Sequence, residues 1–313
     1  MRVFDSLPEP YVHFDHGAAY LGDSLEIMQH IPDSSVNLIL TSPPFALTRK
    51  KEYGNEDEDR YVEWFVGFAR EFYRILRDDG SLVIDLGGSY LPGAPVRSIY
   101  QFELLVRLCR ELRFYLAQDF YHYNPSRLPA PAEWVNVRRV RVKDSVNVVW
   151  WLSKSQHPKA DNRRILKEYS SSMKSLLRNG YKAKLRPSGH DISENFSKDN
   201  GGSIPPNLIG YGHAGEEALE NLVELANTES NSLYIRRCRK AGIKPHPARF
   251  PLAFAVYFIR FLTEANDIVV DPFAGSNTTG FAAEVLQRKW IATLVNQEMD
   301  IAVKTSRAQR SSV

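Results

Sequence analysis

Apolar positions along the chain follow two rhythms. Short, almost continuous apolar runs that stop at turn residues predict buried strands. Apolar residues spaced three and four apart predict amphipathic helices. Tyr11–Phe14 reads as a short strand, and Leu25–Ile31 as a short helix with Ser24 as its N-cap. Val36–Leu40 (VNLIL) is a strand, cut off at once by Thr41-Ser42-Pro43-Pro44. Arg49–Arg60 is polar and charged, which predicts a loop. Trp64, Phe65, Phe68, Phe72, Ile75 and Leu76 fall at helical spacing over Tyr61–Leu76, with Gly80 as the expected stop. Ser81–Leu86 is the next strand, Ser98–Leu112 a helix, and Tyr115–Phe120 and Val146–Leu152 further strands.

The rhythm breaks at Ser153. From there to Lys244, Ser, Asn and Gly cluster (SSS, NGGS, SNS) and long apolar runs are few, the mark of an inserted, loop-rich module. Regularity returns with an apolar helix over Phe250–Leu262, a strand over Asp267–Asp271, a helix over Asn277–Leu286 and a strand over Trp290–Val295. The polar tail after Lys304 is expected to fray. Strands alternating with helices predict an α/β fold with a largely parallel, doubly wound sheet.

Composition removes several classes. With 313 residues, 43% hydrophobic and 25% charged, the chain is neither collagen-like nor wholly disordered. Its length lets it bury about 75% of its unfolded surface without covalent staples. Two cysteines, Cys109 and Cys238, are too few for a disulfide framework or a cysteine zinc site, and the eight histidines lack ligand spacing, so no metal is expected. No apolar run reaches the roughly 18 residues of a membrane span. The opening MRVFDSLPEP has acids and prolines where a signal peptide is apolar. A soluble, cytoplasmic protein with reduced thiols is expected.

Charge adds one more feature. Between Arg138 and Pro187 stand fourteen Lys/Arg and three Asp/Glu, a net +11. The whole chain carries +3, so the remainder carries −8. A concentrated positive field on a near-neutral protein suits a polyanion such as nucleic acid, although a solvated basic face has the same composition.

Two loops carry candidate chemistry. In Asp271-Pro272-Phe273-Ala274-Gly275-Ser276-Asn277-Thr278-Thr279-Gly280, Gly275 lets the backbone turn tightly and approach a ligand. The helix start that follows offers unpaired N–H groups to a carboxylate or phosphate. The spacing is G-x4-G, unlike the dinucleotide fingerprint, and there is no P-loop lysine, which disfavours a nucleotide-dependent oxidoreductase. A plain strand-to-helix turn has the same local sequence. In Thr41-Ser42-Pro43-Pro44-Phe45, two prolines that cannot join a ladder leave stiff carbonyls at the carboxyl edge of the sheet, beside a hydroxyl and a flat ring.

Taken together, TSPPF and DPFAGS resemble the catalytic motif and the cofactor loop of the β-class amino-methylating DNA methyltransferases, which use S-adenosyl-L-methionine. Gly22-Asp23-Ser24-Leu25 resembles the family's run ahead of the catalytic strand. His246-Pro247-Ala248-Arg249-Phe250-Pro251 resembles its lead-in to the cofactor strand. The resemblance implies a Rossmann-like methyltransferase sheet in circularly permuted motif order. Its catalytic half is 1–152, its smaller target-recognition region 153–244 and its cofactor half 245–313. The serine resembles the cytosine-N4 branch found in restriction–modification systems; adenine-N6 members more often carry Asp or Asn there. A cytosine-C5 enzyme needs a Pro-Cys nucleophile, which neither cysteine supplies.

The resemblance also implies roles. Ser42 and the Pro43 carbonyl accept the two amino hydrogens of a flipped cytosine, Pro44 stiffens the corner, and Phe45 stacks on the base. Asp85 orients Ser42 and takes up or relays the released proton, although a capping Asp before Gly87-Gly88 fits equally. Asp23, Ser24, Leu25, Thr41, Asp271, Pro272, Phe273, Gly275, Ser276 and Thr278 are expected around the cofactor, with Asp23 on the adenine amino group and His246 and Pro247 as further lining. Arg49, Lys50 and Lys51 are expected to clamp DNA phosphates, and Arg163, Arg164, Lys182, Lys184 and Arg186 to lie along the duplex. Implied partners are double-stranded DNA and a cognate restriction endonuclease acting on the same site without contact. The enzyme is expected to be a monomer or weak dimer with no membrane association.

One departure stands out. Relatives read W-φ-G-φ-E after the cofactor helix, the acid holding the ribose hydroxyls, whereas Trp290-Ile291-Ala292-Thr293-Leu294 ends in Leu294. This predicts weak cofactor binding or a substitute acceptor among Asn296, Gln297 and Glu298, and it raises a catalytically inactive DNA-binding relative as a rival reading.

Overall fold

Val36–Thr41 forms a central strand because both of its faces are buried: Ile39 enters one hydrophobic core, Leu38 and Leu40 the other. A strand covered on both faces reads as a continuous apolar run, which is why VNLIL was legible. The computed structural model describes residues 2–45, 58–124, 127–180, 198–210, 239 and 251–294. Arg49, Lys50, Lys51, Lys182, Lys184, Arg186, His246, Pro247, Asn296, Gln297 and Glu298 lie outside the described residues.

The strands are β1 (Val12–His13), β2 (Gly17–Leu21), β3 (Val36–Thr41), β4 (Leu76–Leu86), β5 (Tyr115–Tyr123), β6 (Val146–Ser153), β7 (Leu208–Gly210), β8 (Ile268–Asp271) and β9 (Lys289–Leu294). They form one sheet in the order β1-β2-β9-β8-β3-β4-β6-β5-β7. The run from β2 to β4 is parallel, and so is β5 with β7. β1 with β2, β4 with β6 and β6 with β5 are antiparallel. Helices α1 (Ser24–Gln29), α2 (Glu58–Ile75) and α3 (Tyr100–Arg110) cover one face, placing Met28, Phe65, Phe72, Leu104 and Leu108 in its core. On the other face α5 (Leu252–Leu262) and α6 (Thr278–Val285) bury Phe254, Phe258, Ala282 and Ala283; α4 (Ser171–Asn179) is peripheral, with no buried residue. The fold is α/β and doubly wound, as its alternation of elements predicted.

Local differences have simple causes. Asp23, not Ser24, caps α1, its Oδ1 accepting the Leu25 N–H at 2.8 Å. Gly80 does not stop α2. That helix ends at Ile75, Leu76 already pairs with Val36, and Gly80 lies in a bulge before Ser81 pairs with Leu38. Strand β2, GAAYL, escaped the reading because its small residues break the apolar run.

The region expected to begin an insert at Ser153 is strapped to the sheet. Lys154 Nζ donates to Leu76 O (2.8 Å), Lys159 N to Asp79 O (3.0 Å) and Asp161 N to Phe261 O (2.9 Å). Further on, β7 adds an edge strand beside β5. No helix among the described residues is long and apolar enough to cross a membrane.

Candidate active site

In an open parallel sheet, ligands bind beyond the carboxyl ends of the strands. At that edge β3 and β8 are neighbours, with Ile39 opposite Val270. Thr41 Oγ1 donates to Asp271 Oδ1 at 2.7 Å, Thr279 Oγ1 donates to Oδ2 at 2.7 Å, and Phe273 N donates to Oδ1 at 3.1 Å. The TSPPF corner and the Gly275 loop are therefore tied side by side. Burial pushes the Asp271 carboxyl up to about 6, against the lowering effect of its three donors. Thr41 and Asp271, both expected near the cofactor, are buried, and both carboxylate oxygens are engaged inside the protein, so the pair ties the two loops together.

Ser42 is half-buried, and its hydroxyl donates to the main-chain carbonyl of Asp85 at 3.1 Å. This corrects the expected contact. The Asp85 side chain receives Asn147 Nδ2 on Oδ1 (3.0 Å) and faces His122 Nδ1 from Oδ2 (3.3 Å). Asp85, His122 and Asn147 are all buried, and Arg127 donates to the Asn147 carboxamide oxygen. His122 and Asn147 escaped the sequence reading because they reach Asp85 only through the antiparallel pairing of β4, β6 and β5, which no local motif announces. Pro43 is buried and Pro44 half-buried. The Phe45 ring lies against Gly87, where a Cβ would collide with it, so part of the ring is engaged by the corner itself.

In the opposing loop Gly275 has φ 50°, a left-handed conformation that favours glycine. Ala274 N donates to Thr293 O (3.2 Å), anchoring the loop to β9. Ser276 and Thr278 hydroxyls lie 3.0 Å apart. Phe281 N donates to Asn277 O as the first bond of α6, so helix geometry leaves the N–H groups of Thr278, Thr279 and Gly280 without a helical partner. Gly275 and Thr278 are partly exposed, whereas Pro272 and Ser276 are buried. Phe273 packs on Trp64 and Phe68 of α2, with ring centroids 5.7 and 4.9 Å away. That contact engages much of a ring expected beside the cofactor. Two strands along the same edge, at the end of β2, Asp23 is exposed; its Oδ2 has no partner among the described residues. Ser24 is buried and Leu25 half-buried in α1.

This edge fits an S-adenosyl-L-methionine carboxylate at the α6 N-terminus and an adenine amino group at Asp23. It offers no ribose acceptor at Leu294, which is 1% exposed and packed in the second core. The departure from the family pattern is thus a core position.

The basic region is less free than its composition suggested. Arg164, expected along DNA, donates to Glu264 Oε1 (2.5 Å) and Thr263 O (2.9 Å), which ties it to the end of α5. Lys159 pairs with Asp267 (2.7 Å) and Glu264 (2.9 Å). Arg163 is exposed but forks onto Asp161 through two 2.8 Å bonds, holding that carboxyl down at about 2. Among the described residues no His/Cys/Asp/Glu cluster suits a metal.

Residues 36–304 match the DNA methylase family model, and the chain belongs to that family. The chain is 52% identical over 287 residues to the Type II methyltransferase M.PvuII of Proteus hauseri, covering 91% of this chain and 81% of that one. The solved PvuII DNA methyltransferase, described as cytosine-N4-specific, superposes with a TM-score of 0.71 at 43% identity, over 92% of this chain and 86% of that one. M.BamHI of Bacillus amyloliquefaciens is 26% identical over 93% of this chain and 58% of its own length.

Proposed function

We infer that this protein is a DNA (cytosine-N4) methyltransferase that moves the methyl of S-adenosyl-L-methionine to the exocyclic amino group of a flipped cytosine in duplex DNA. The observation that carries the reading is the Thr41–Asp271 hydrogen bond, which ties the serine corner to the Gly275 loop across neighbouring strands. The likeness to the solved PvuII DNA methyltransferase, described as cytosine-N4-specific, supports cytosine over adenine as the target base.

The cytosine amino lone pair is delocalised into the ring, so catalysis requires both amino hydrogens to be held while the nitrogen pyramidalises. A hydroxyl donates once and accepts twice. The Ser42 proton is committed to Asp85 O, which leaves the Oγ lone pairs to accept one amino hydrogen without prior deprotonation. The Pro43 carbonyl, aimed by fixed proline geometry, accepts the other. Asp85 acts here through its main chain, while His122 and Asn147 hold its carboxylate. S-adenosyl-L-methionine, when bound, would supply an electrophilic methyl on sulfur, so that the C–N bond forms as the C–S bond breaks, the thioether leaves and one amino hydrogen is lost as a proton to water. The N–H groups at the start of α6, with partly exposed Thr278 foremost, would receive its carboxylate, and Asp23 would accept from its adenine amino group. Alignment of this kind is worth up to roughly 7–11 kcal/mol, and extruding the base costs a few kcal/mol.

We further propose that the enzyme serves a restriction–modification system beside a cognate endonuclease that reads the same site independently, and that it acts as a monomer or weak dimer. Transfer of labelled methyl to DNA, followed by nucleoside analysis, tests the activity and the target base together.

A further inference from the structure

The chain between β5 and β6 reads Val137-Arg138-Arg139-Val140-Arg141-Val142-Lys143, an alternation of aliphatic and basic residues. In a half-buried strand such alternation puts one set inside. Here neither set is inside. Leu128 is 81% exposed, Val137 70%, Val140 62% and Val142 84%. The segment is nevertheless built. Asn124 N donates to Ser145 O (2.7 Å) and closes its neck. Val140 N donates to Trp134 O (2.9 Å), and Arg138 lies over the Trp134 ring at 5.4 Å while pairing with Glu133. Arg141 donates to Pro95 O (2.6 Å) and lies over the Tyr90 ring at 4.6 Å, which fastens the hairpin to the loop after β4.

Its place is as telling as its composition. Asp85 pairs with Val149 and Leu86 with Val148, so β6 begins, and β5 ends, just beyond the carbonyl that holds Ser42. The hairpin therefore rises from the carboxyl edge beside the catalytic corner. Its two acids are already engaged, Glu133 by Arg138 and Asp144 by Tyr90 and Arg97. Arg139, exposed at φ 54°, has no partner among the described residues, and Lys143 is exposed with its ammonium 3.5 Å from Arg127 O, to which it donates.

Resting on the proposed function, we propose that this hairpin is a duplex-contacting element. Arg139 and Lys143 meet phosphates, and Val140 and Val142 lie against sugars and base edges beside the extruded cytosine. The charge alternation selects a polyanion over an apolar protein partner: each exposed aliphatic residue is flanked by a cation, as a groove lined by phosphates requires. Duplex contact is thereby assigned to the first residues of the basic stretch that runs from Arg138 to Pro187, ahead of Ser153.

The test uses the full chain and a labelled duplex carrying the sequence that the wild-type protein methylates, with binding read by anisotropy over a range of salt. Arg139→Ala should weaken binding several-fold and lower the slope of log K against log[salt] by about 0.9, one phosphate contact. Val140→Ser/Val142→Ser should weaken binding with an unchanged salt slope. Melting temperatures should stay at the wild-type value, because these side chains are exposed. Wild-type affinity and salt slope in both variants would overturn the proposal. So would a shift in sedimentation showing that the valines join two copies while DNA affinity is unchanged. Failure of the wild-type protein to methylate any DNA would instead overturn the function on which the proposal rests.

Discussion

Thr41 and Asp271, 230 positions apart in the chain, share a 2.7 Å hydrogen bond at the adjoining ends of β3 and β8. The contact joins two stretches that are distant in the chain: neighbouring strands place the serine corner beside the Gly275 loop whatever their order in sequence. A buried carboxylate is a costly choice for the tie, and the cost is visible in pH. Asp271 titrates near 6 in the folded protein, against 3.8 for the free side chain. Its folded pKa is raised, so the folded state holds an extra proton between these values. Stability from this group is full below pH 4 and is lost as pH rises through 6. Asp271→Asn has no such group. Its stability relative to wild type should therefore rise by about 3 kcal/mol between pH 4 and pH 7, read from urea unfolding of both proteins. A difference that does not change with pH would contradict the buried, ionisable tie.

Ser42 should act through one hydrogen bond that strengthens as the amino nitrogen becomes positive. Ser42→Ala should slow single-turnover methyl transfer roughly 10- to 100-fold, corresponding to about 1.5–3 kcal/mol, with cofactor affinity unchanged. Asp85→Asn keeps the carbonyl that holds Ser42 and should slow transfer less than Ser42→Ala does. An Asp85→Asn defect larger than that of Ser42→Ala would assign the carboxylate a direct chemical role.

Leu294 is a core residue, and that reverses what the family pattern suggested. Introducing the missing acid by Leu294→Glu should not tighten S-adenosyl-L-methionine binding in calorimetry. It should lower stability by more than the about 2–5 kcal/mol of a buried Leu→Ala change. Tighter binding with unchanged stability would show the side chain facing the cofactor.

Arg164 belongs to the fold. Arg164→Ala should lower the melting temperature modestly, since its ion pairs are only partly buried, and leave the salt dependence of DNA binding unchanged. A reduced salt slope would return it to the DNA surface.

The sheet and the two loops were legible because their signals are local. VNLIL, SLVIDL and DIVVD are continuous apolar runs, and Pro-Pro and Gly275 mark turns at strand ends. What was hidden is what tertiary pairing creates. That Thr41 and Thr279 both donate to Asp271 is not visible in sequence. Asp85 reads as the partner of a serine until His122 and Asn147 claim its carboxylate. Lys159 and Arg164 read as a basic face until Asp267 and Glu264, a hundred residues on, neutralise them. Charge summed along sequence overstates charge presented to a partner whenever acids from elsewhere fold back onto it.

The central claim is that the Ser42 corner and the Gly275 loop form one amino-methylating site for cytosine. It is tested most directly by incubating the protein with unmodified DNA and methyl-labelled S-adenosyl-L-methionine and digesting the DNA to nucleosides. Label in N4-methylcytosine, sharply reduced in Ser42→Ala, is the predicted result; label in N6-methyladenine, or none in the DNA at all, would contradict it.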